Sequence, residues 1–208
     1  MCKKLWIRNK EGSKIIKNKL NMREIVVMAV LSMAYAVVYI GGVGAWGIFN
    51  AIFGPIGTDI IYGIWFMSAV TSMYIIRKPG CAFLGEMMAA MSEVLLGTPV
   101  GVTMLIGAAI QGASSELAFT ITGYKKYNTF VLVLAGIFPS LGTFLYSYFM
   151  YGYSHLPTKM IVMMLIVRVI SGGLIGGYGG KMVADTLAST GSLNTFSLGR
   201  ERWLKFNG

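Results

Sequence analysis

Residues 25–43 read IVVMAVLSMAYAVVYIGGV, a run without a single charge, and they follow a 24-residue segment carrying eight Lys and Arg (Lys3, Lys4, Arg8, Lys10, Lys14, Lys17, Lys19 and Arg23). An uncharged apolar run of that length crosses a bilayer core as a helix, and a basic flank marks its cytoplasmic end. Five more apolar runs follow, at about 56–76, 81–97, 100–122, 129–151 and 158–184. The sequence therefore predicts an all-α integral membrane protein, a six-transmembrane-helix bundle. Its domains are a basic cytoplasmic N-terminal segment (1–24), a membrane domain (25–184) and a polar C-terminal tail (185–208), expected to be loosely ordered from Ser189.

Composition agrees. Of the 208 residues 55% are hydrophobic and 12% charged, about half the charged share of a soluble domain, and the mean hydropathy is +0.66. Six spans leave no room for a soluble catalytic domain, so a pump carrying its own motor is excluded. The net charge of +10 is a topology signal and not a nucleic-acid footprint. Sixteen of the eighteen basic residues fall in the N-terminal segment, at 77–78, at 125–126 and from Lys181 onward, with only Lys159 in the alternate connections and Arg168 inside a span. Both termini are expected to be cytoplasmic. The basic segment is an orientation signal or, with Leu5, Trp6, Ile7, Ile15, Ile16 and Leu20 among its lysines, an interfacial helix. It has no signal-peptide cleavage site. Cys2 and Cys81 are too few for a disulfide framework and are read as reduced.

Ionisable groups inside spans are costly and point to function or to pairing. Four of the eight acidic residues, Asp59, Glu86, Glu93 and Glu116, lie in the second to fourth spans, and Arg168 lies in the sixth. At about 1.5 Å per residue, Asp59 and Glu93 lie about 5–6 Å from the outer end, Glu86, Gln111 and Arg168 about 15–17 Å, and Glu116 about 24 Å. Glu86 and Glu93 are two helical turns apart and share a face; Asp59, Tyr62 and Phe66 share another, with Trp65 close by. Trp65, Tyr62 and Tyr146 fall in the outer half as well. These groups suggest an outward pocket for a small, flat, cationic heteroaromatic ligand, held by carboxylates and an amide between aromatic walls. Other readings remain open. Arg168 can neutralise Glu86 or Glu116, Asp59 can serve a helix N-terminus, the aromatic residues can be packing or belt residues, and Glu116 can meet a partner protein.

Gly172, Gly176 and Gly180 recur every four residues on the sixth helix, and Ser32/Ala36, Gly85/Ala89 and Ala108/Gly112 repeat the small-xxx-small spacing. Such pairs let backbones approach closely, and a lipid-facing stripe on the first helix would dock another membrane subunit. Residues 41–57, rich in glycine with Trp46, Phe49 and Phe53, are expected to be a flexible apolar loop, a lid or an aromatic belt. The phosphate-loop pattern fails around Gly176–Lys181, His155 is the only histidine, and HExxH and CxxC are absent. No cofactor or metal is expected, and an intramembrane enzyme would have to run on carboxylates alone.

Several stretches resemble a known family: Phe53-Gly54-Pro55-Ile56-Gly57-Thr58-Asp59, Tyr62 to Met67, Tyr74-Ile75-Ile76-Arg77-Lys78-Pro79-Gly80, Gly85-Glu86, Glu93 to Gly97, and Gln111-Gly112 to Glu116. Over residues 24–184 the chain is similar to the YkoE family of substrate-binding S components of energy-coupling factor (ECF) vitamin transporters. The resemblance implies a bacterial plasma-membrane protein that is not an enzyme. Such a protein captures thiamine or its hydroxymethylpyrimidine precursor from outside, joins a membrane coupling (T) subunit and two ATPase domains, and topples in the bilayer to deliver its load. It also implies docking through an Ala-xxx-Ala motif on the first helix, which Ser32 and Ala36 match imperfectly. Another vitamin in the same architecture, or a carboxylate-based membrane enzyme, are the alternative readings.

Overall fold

Helix α1 (Met22–Phe53) opens the computed structural model, which describes residues 19–207 and places helices and turns, but no strand, among them. The interfacial helix expected from Leu5, Trp6, Ile7, Ile15 and Ile16 lies outside the described residues. Helix α1 starts where the Asn21 backbone N–H donates to Glu24 Oε2 (2.8 Å). It runs ten residues beyond the expected end at Val43 and stops at Gly54, whose φ of 62° suits a residue without Cβ. Pro55 then starts the short helix α2 (Pro55–Ile60), which folds back on α1. A Cβ on Gly57 would lie 2.0 Å from the Phe49 carbonyl oxygen, and Trp46 Nε1 donates to Thr58 Oγ1 (2.8 Å). The expected flexible loop at 41–57 is thus a helical hairpin. With no proline before Pro55, an apolar stretch in lipid satisfies its backbone most readily as helix.

The run at 56–76 is broken into α2, a 3-10 turn (Tyr62–Phe66) and α3 (Met67–Ile76). Every residue of α3 from Ser68 to Ile76 is buried. Helices α1, α4 (Cys81–Leu95), α5 (Met104–Ile121), α6 (Thr129–Met150) and α8 (Gly180–Ser189) all touch it. Ser68 and Thr71 have found partners on these neighbours, whereas the Ser72 hydroxyl is buried without one. Ser68 Oγ donates to the Gly85 carbonyl (2.9 Å), and Thr71 Oγ1 donates to that of Gly180 (3.1 Å) while meeting the Tyr35 hydroxyl at 2.7 Å. At the far end Arg77 takes the left-handed conformation (φ 61°) and the chain turns into α4.

A 3-10 turn (Tyr153–His155) leads to α7 (Thr158–Ser171), which passes through π-helical turns at Gly172–Gly179 into α8. Four helical stretches are long and apolar enough to cross a membrane: Met22–Phe53, Met104–Ile121, Thr129–Met150 and Thr158–Ser189; Tyr62–Ile76 is shorter. Exposed Val30, Val37, Phe149, Ile166 and Leu174 on their outer faces are the side chains a bilayer covers.

The small-residue pairs work inside the fold. Ser32 and Ala36, expected as a docking strip, are fully buried, and Ser32 Oγ donates to the Gly85 carbonyl (3.0 Å), seating α1 on α4. They face inward because Met28, Tyr35 and Tyr39 share their face of α1 and are buried with them. Where α6 crosses the π-helical turns, a Cβ on Gly136 would sit 2.1 Å from the Gly172 carbonyl oxygen. The segment after Ser189 is not loose in the structure. Leu193, Phe196 and Leu198 are buried, Ser197 Oγ donates to the Ile76 carbonyl (3.0 Å), and helix α9 (Ser197–Asn207) is tied to the end of α3 by an Arg77–Glu201 ion pair.

Gly136→Ala should therefore lower stability by about 2 kcal/mol or more, as overpacking against backbone does. Gly44→Ala, where a Cβ meets nothing within 4 Å, should be close to neutral. Thermal unfolding of the two purified variants in detergent checks the contrast.

Candidate ligand-binding site

The cavity lies among the C-terminal parts of α1, α4 and α6, the start of α5 and the last turn of α7, at the opposite end of the bundle from the α3–α4 turn and α9. Its volume is about 550 Å³, within the usual range for small-molecule pockets. Helix α4 supplies one wall. Glu86 Oε2 accepts hydrogen bonds from the Tyr39 hydroxyl and the Ala69 backbone N–H (both 3.2 Å), and the Tyr39 oxygen accepts from the Ser68 N–H (3.2 Å). Half of this carboxylate is thus fastened to the first turn of α3, where free N–H groups and the helix dipole favour an anion. Two turns further, Glu93 accepts from Thr98 Oγ1 through Oε1 (3.0 Å), while its buried Oε2 has no hydrogen-bond partner. Gln111 lines the same wall from α5.

Arg168 on α7 faces this wall from across the cavity and is completely buried. Its Nε donates to Asp59 Oδ1 (2.5 Å), and its two terminal nitrogens donate to Ser147 Oγ and the Tyr153 hydroxyl (both 3.3 Å). Its guanidinium carbon lies 4.0 Å from the Tyr62 ring centre and 5.1 Å from that of Phe144. Burial pushes the Tyr153 phenol above its usual pKa despite the nearby guanidinium, so the hydroxyl keeps its proton. Tyr62 and Trp65 meet at 6.0 Å and Tyr146 and Tyr151 edge-on at 5.9 Å, adding aromatic faces to a lining that also holds Val43, Val100 and Met104.

Of the residues singled out from the sequence, Glu93, Gln111, Glu86, Trp65, Tyr62, Tyr146 and Arg168 come together on this one cavity. Asp59 sits behind Arg168, fully buried, with Oδ2 unpartnered. The cross-helix pair thus joins Arg168 to Asp59 and not to either glutamate considered above. Glu116 is elsewhere, accepting from the backbone N–H groups of Gly80, Ala82 and Phe83 (2.7, 2.9 and 3.2 Å). It closes the first turn of α4 in place of a local cap. Tyr39, Trp46, Asn50, Thr143, Ser147, Tyr151 and Tyr153 also line the cavity and were not anticipated. Tyr39 carried a usable signal, since it lies seven residues from Ser32 and three from Ala36 on one helical face.

The family model for the permease component of an ABC-type cobalt transport system matches residues 23–142. YkoE of Bacillus subtilis (strain 168), named an HMP/thiamine permease protein, is 42% identical over 180 residues, which cover 86% of this chain and 90% of that protein. A crystal structure of an S component of an ECF transporter superposes with a TM-score of 0.87 at 41% identity, over 90% of this chain and 95% of that one. The chain belongs to this family of ECF transporter S components. It is a multi-pass protein of the bacterial plasma membrane that binds a substrate and associates with other ECF components, and it is not an enzyme.

Since Glu116 serves the fold and not the cavity, Glu116→Ala should lower the unfolding midpoint, at a cost of about 1–2 kcal/mol, and leave substrate affinity unchanged. Thermal unfolding and calorimetric binding on the same preparation separate the two effects.

Proposed function

We propose that this S component captures thiamine or its hydroxymethylpyrimidine precursor from outside the cell and delivers it through a membrane coupling (T) subunit driven by two ATPase domains. The observation that carries the reading is Glu93 Oε2, a buried acceptor without a partner on the wall of an aromatic cavity. A buried polar group left unmade is expensive, and a ligand donor would relieve the cost. The aminopyrimidine ring offers such donors. It is held by Glu93, Glu86 and Gln111, with Trp65, Tyr62 or Tyr146 stacked on the rings and the carboxylates countering the thiazolium charge. The name of the Bacillus subtilis relative supports the ligand. The cobalt in the family model's description fits less well. Among the described residues no three His, Cys, Asp or Glu cluster as a metal site, whereas rings wall the cavity.

In this reading the chain spans the membrane six times, the short Tyr62–Ile76 and α4 helices completing the set, with both termini cytoplasmic. The basic residues at 77–78 and 125–126 cluster at the end opposite the cavity, which turns the cavity outward. The helices then carry the loaded cavity toward the cytoplasm by toppling against the coupling subunit.

Titration of the purified protein with thiamine and with hydroxymethylpyrimidine, followed by tryptophan quenching and calorimetry, should show saturable binding of at least one; silence from both would overturn the ligand assignment. Glu93→Gln should weaken that binding by about tenfold or more, the worth of one charge-assisted hydrogen bond. Unaltered affinity would remove Glu93 from the recognition set.

A further inference from the structure

We infer that Asp59, which does not itself line the cavity, is a specificity-determining residue that makes the site reject phosphate esters of its ligand. The inference rests on the proposed heteroaromatic alcohol as ligand and adds what the cavity does with that alcohol's end. Among the described residues Arg168 is the one Lys, Arg or His on the cavity wall. A guanidinium there, with its forked donors, would by itself be an anchor for a phosphate group.

The structure shows this cation already committed. Asp59 of α2 holds Nε, Ser147 and Tyr153 take the two terminal nitrogens, and Tyr62 covers the guanidinium face. Both charged side chains are wholly withdrawn from solvent. The pair presents no net charge, so a phosphate entering the cavity would lose its water without gaining a counter-charge, a heavy cost in an apolar enclosure. The opposite wall holds Glu86 and Glu93 and has no cation to offer. An alcohol fares differently. Its uncharged hydroxyl needs no counter-charge, and the hydroxyls of Ser147 and Tyr153 on the same side of the cavity suit it. Asp59 thus acts through Arg168, as a positioning residue whose charge decides which form of the ligand is admitted.

The test measures thiamine and thiamine monophosphate, by calorimetry, on the wild-type protein and on Asp59→Asn, Asp59→Glu and the double variant Asp59→Asn/Arg168→Gln. Inorganic phosphate is tested on the same proteins by thermal shift. The wild type should bind the monophosphate at least roughly tenfold more weakly than thiamine, and phosphate should not stabilise it. Asp59→Asn, which frees the guanidinium, should bind the monophosphate more tightly than the wild type does and should be stabilised by phosphate. Asp59→Glu should keep the discrimination, and the double variant should lose the gain. A gain in affinity for one ligand is a result that structural damage cannot imitate. Equal wild-type affinities for the two ligands, or equal losses for both in Asp59→Asn without phosphate stabilisation, would overturn the inference. If Asp59→Asn does not fold, the wild-type comparison and Asp59→Glu still decide it. If the wild type binds neither thiamine compound, the ligand reading falls, while phosphate stabilisation of Asp59→Asn alone still tests what Asp59 does.

Discussion

Helix α3 has no face toward lipid or water, and the rest of the structure is arranged around that constraint. A helix buried on all sides must find every polar partner inside the protein, because an orphan in a low-dielectric interior costs several times what a satisfied hydrogen bond returns. Ser68 reaches the Gly85 carbonyl and Thr71 that of Gly180. The free N–H groups of its first turn reach Tyr39 and Glu86. This last contact joins fold to function, for the carboxylate that completes the central helix is also part of the cavity wall. At the other end, Arg77 and the Ile76 carbonyl receive α9, so both termini of α3 are closed by side chains from distant parts of the chain.

The cavity is electrostatically divided. On the α4 side, carboxylates keep unspent hydrogen-bonding capacity; on the α6–α7 side, a cation has its charge countered by Asp59 and three of its five N–H groups spent on its own neighbours. Under the proposed reading the first arrangement attracts a ligand's donors and the second tolerates a neutral tail, and aromatic rings between them provide area at little conformational cost. Capture without chemistry is what an S component requires, and nothing in this division calls for a proton transfer.

Glu86, Glu93 and Gln111 were legible because a charge or amide within an apolar run stands out and the helical period assigns it a face. Tyr39, Ser147 and Tyr153 were not, since tyrosines and serines occur freely in membrane helices and at their ends. Ser32 and Ala36 show the opposite difficulty: a small-residue pair says that something comes close, without saying whether the neighbour belongs to the same chain. The glycines of 41–57 point to a loop, although glycine in a lipid-embedded helix carries little of the penalty it has in water. The segment after Ser189 reads as a polar tail because its large buried side chains among the described residues, Leu193, Phe196 and Leu198, are too few to leave a periodic trace.

A helical membrane protein, the basic ends of its helices and the costly polar groups within its spans can all be read along the chain. Those properties follow from hydropathy, charge and a fixed rise per residue, all local along the chain. Which of these groups meet is settled by how the helices pack. Asp59 and Arg168 are 109 residues apart and become partners because Gly54 and Pro55 break the chain and set α2 against α7. Glu116 is drawn away from the cavity because the first turn of α4 needed an acceptor. Partner choice between helices depends on packing in three dimensions, and periodicity along one helix carries no information about its neighbour.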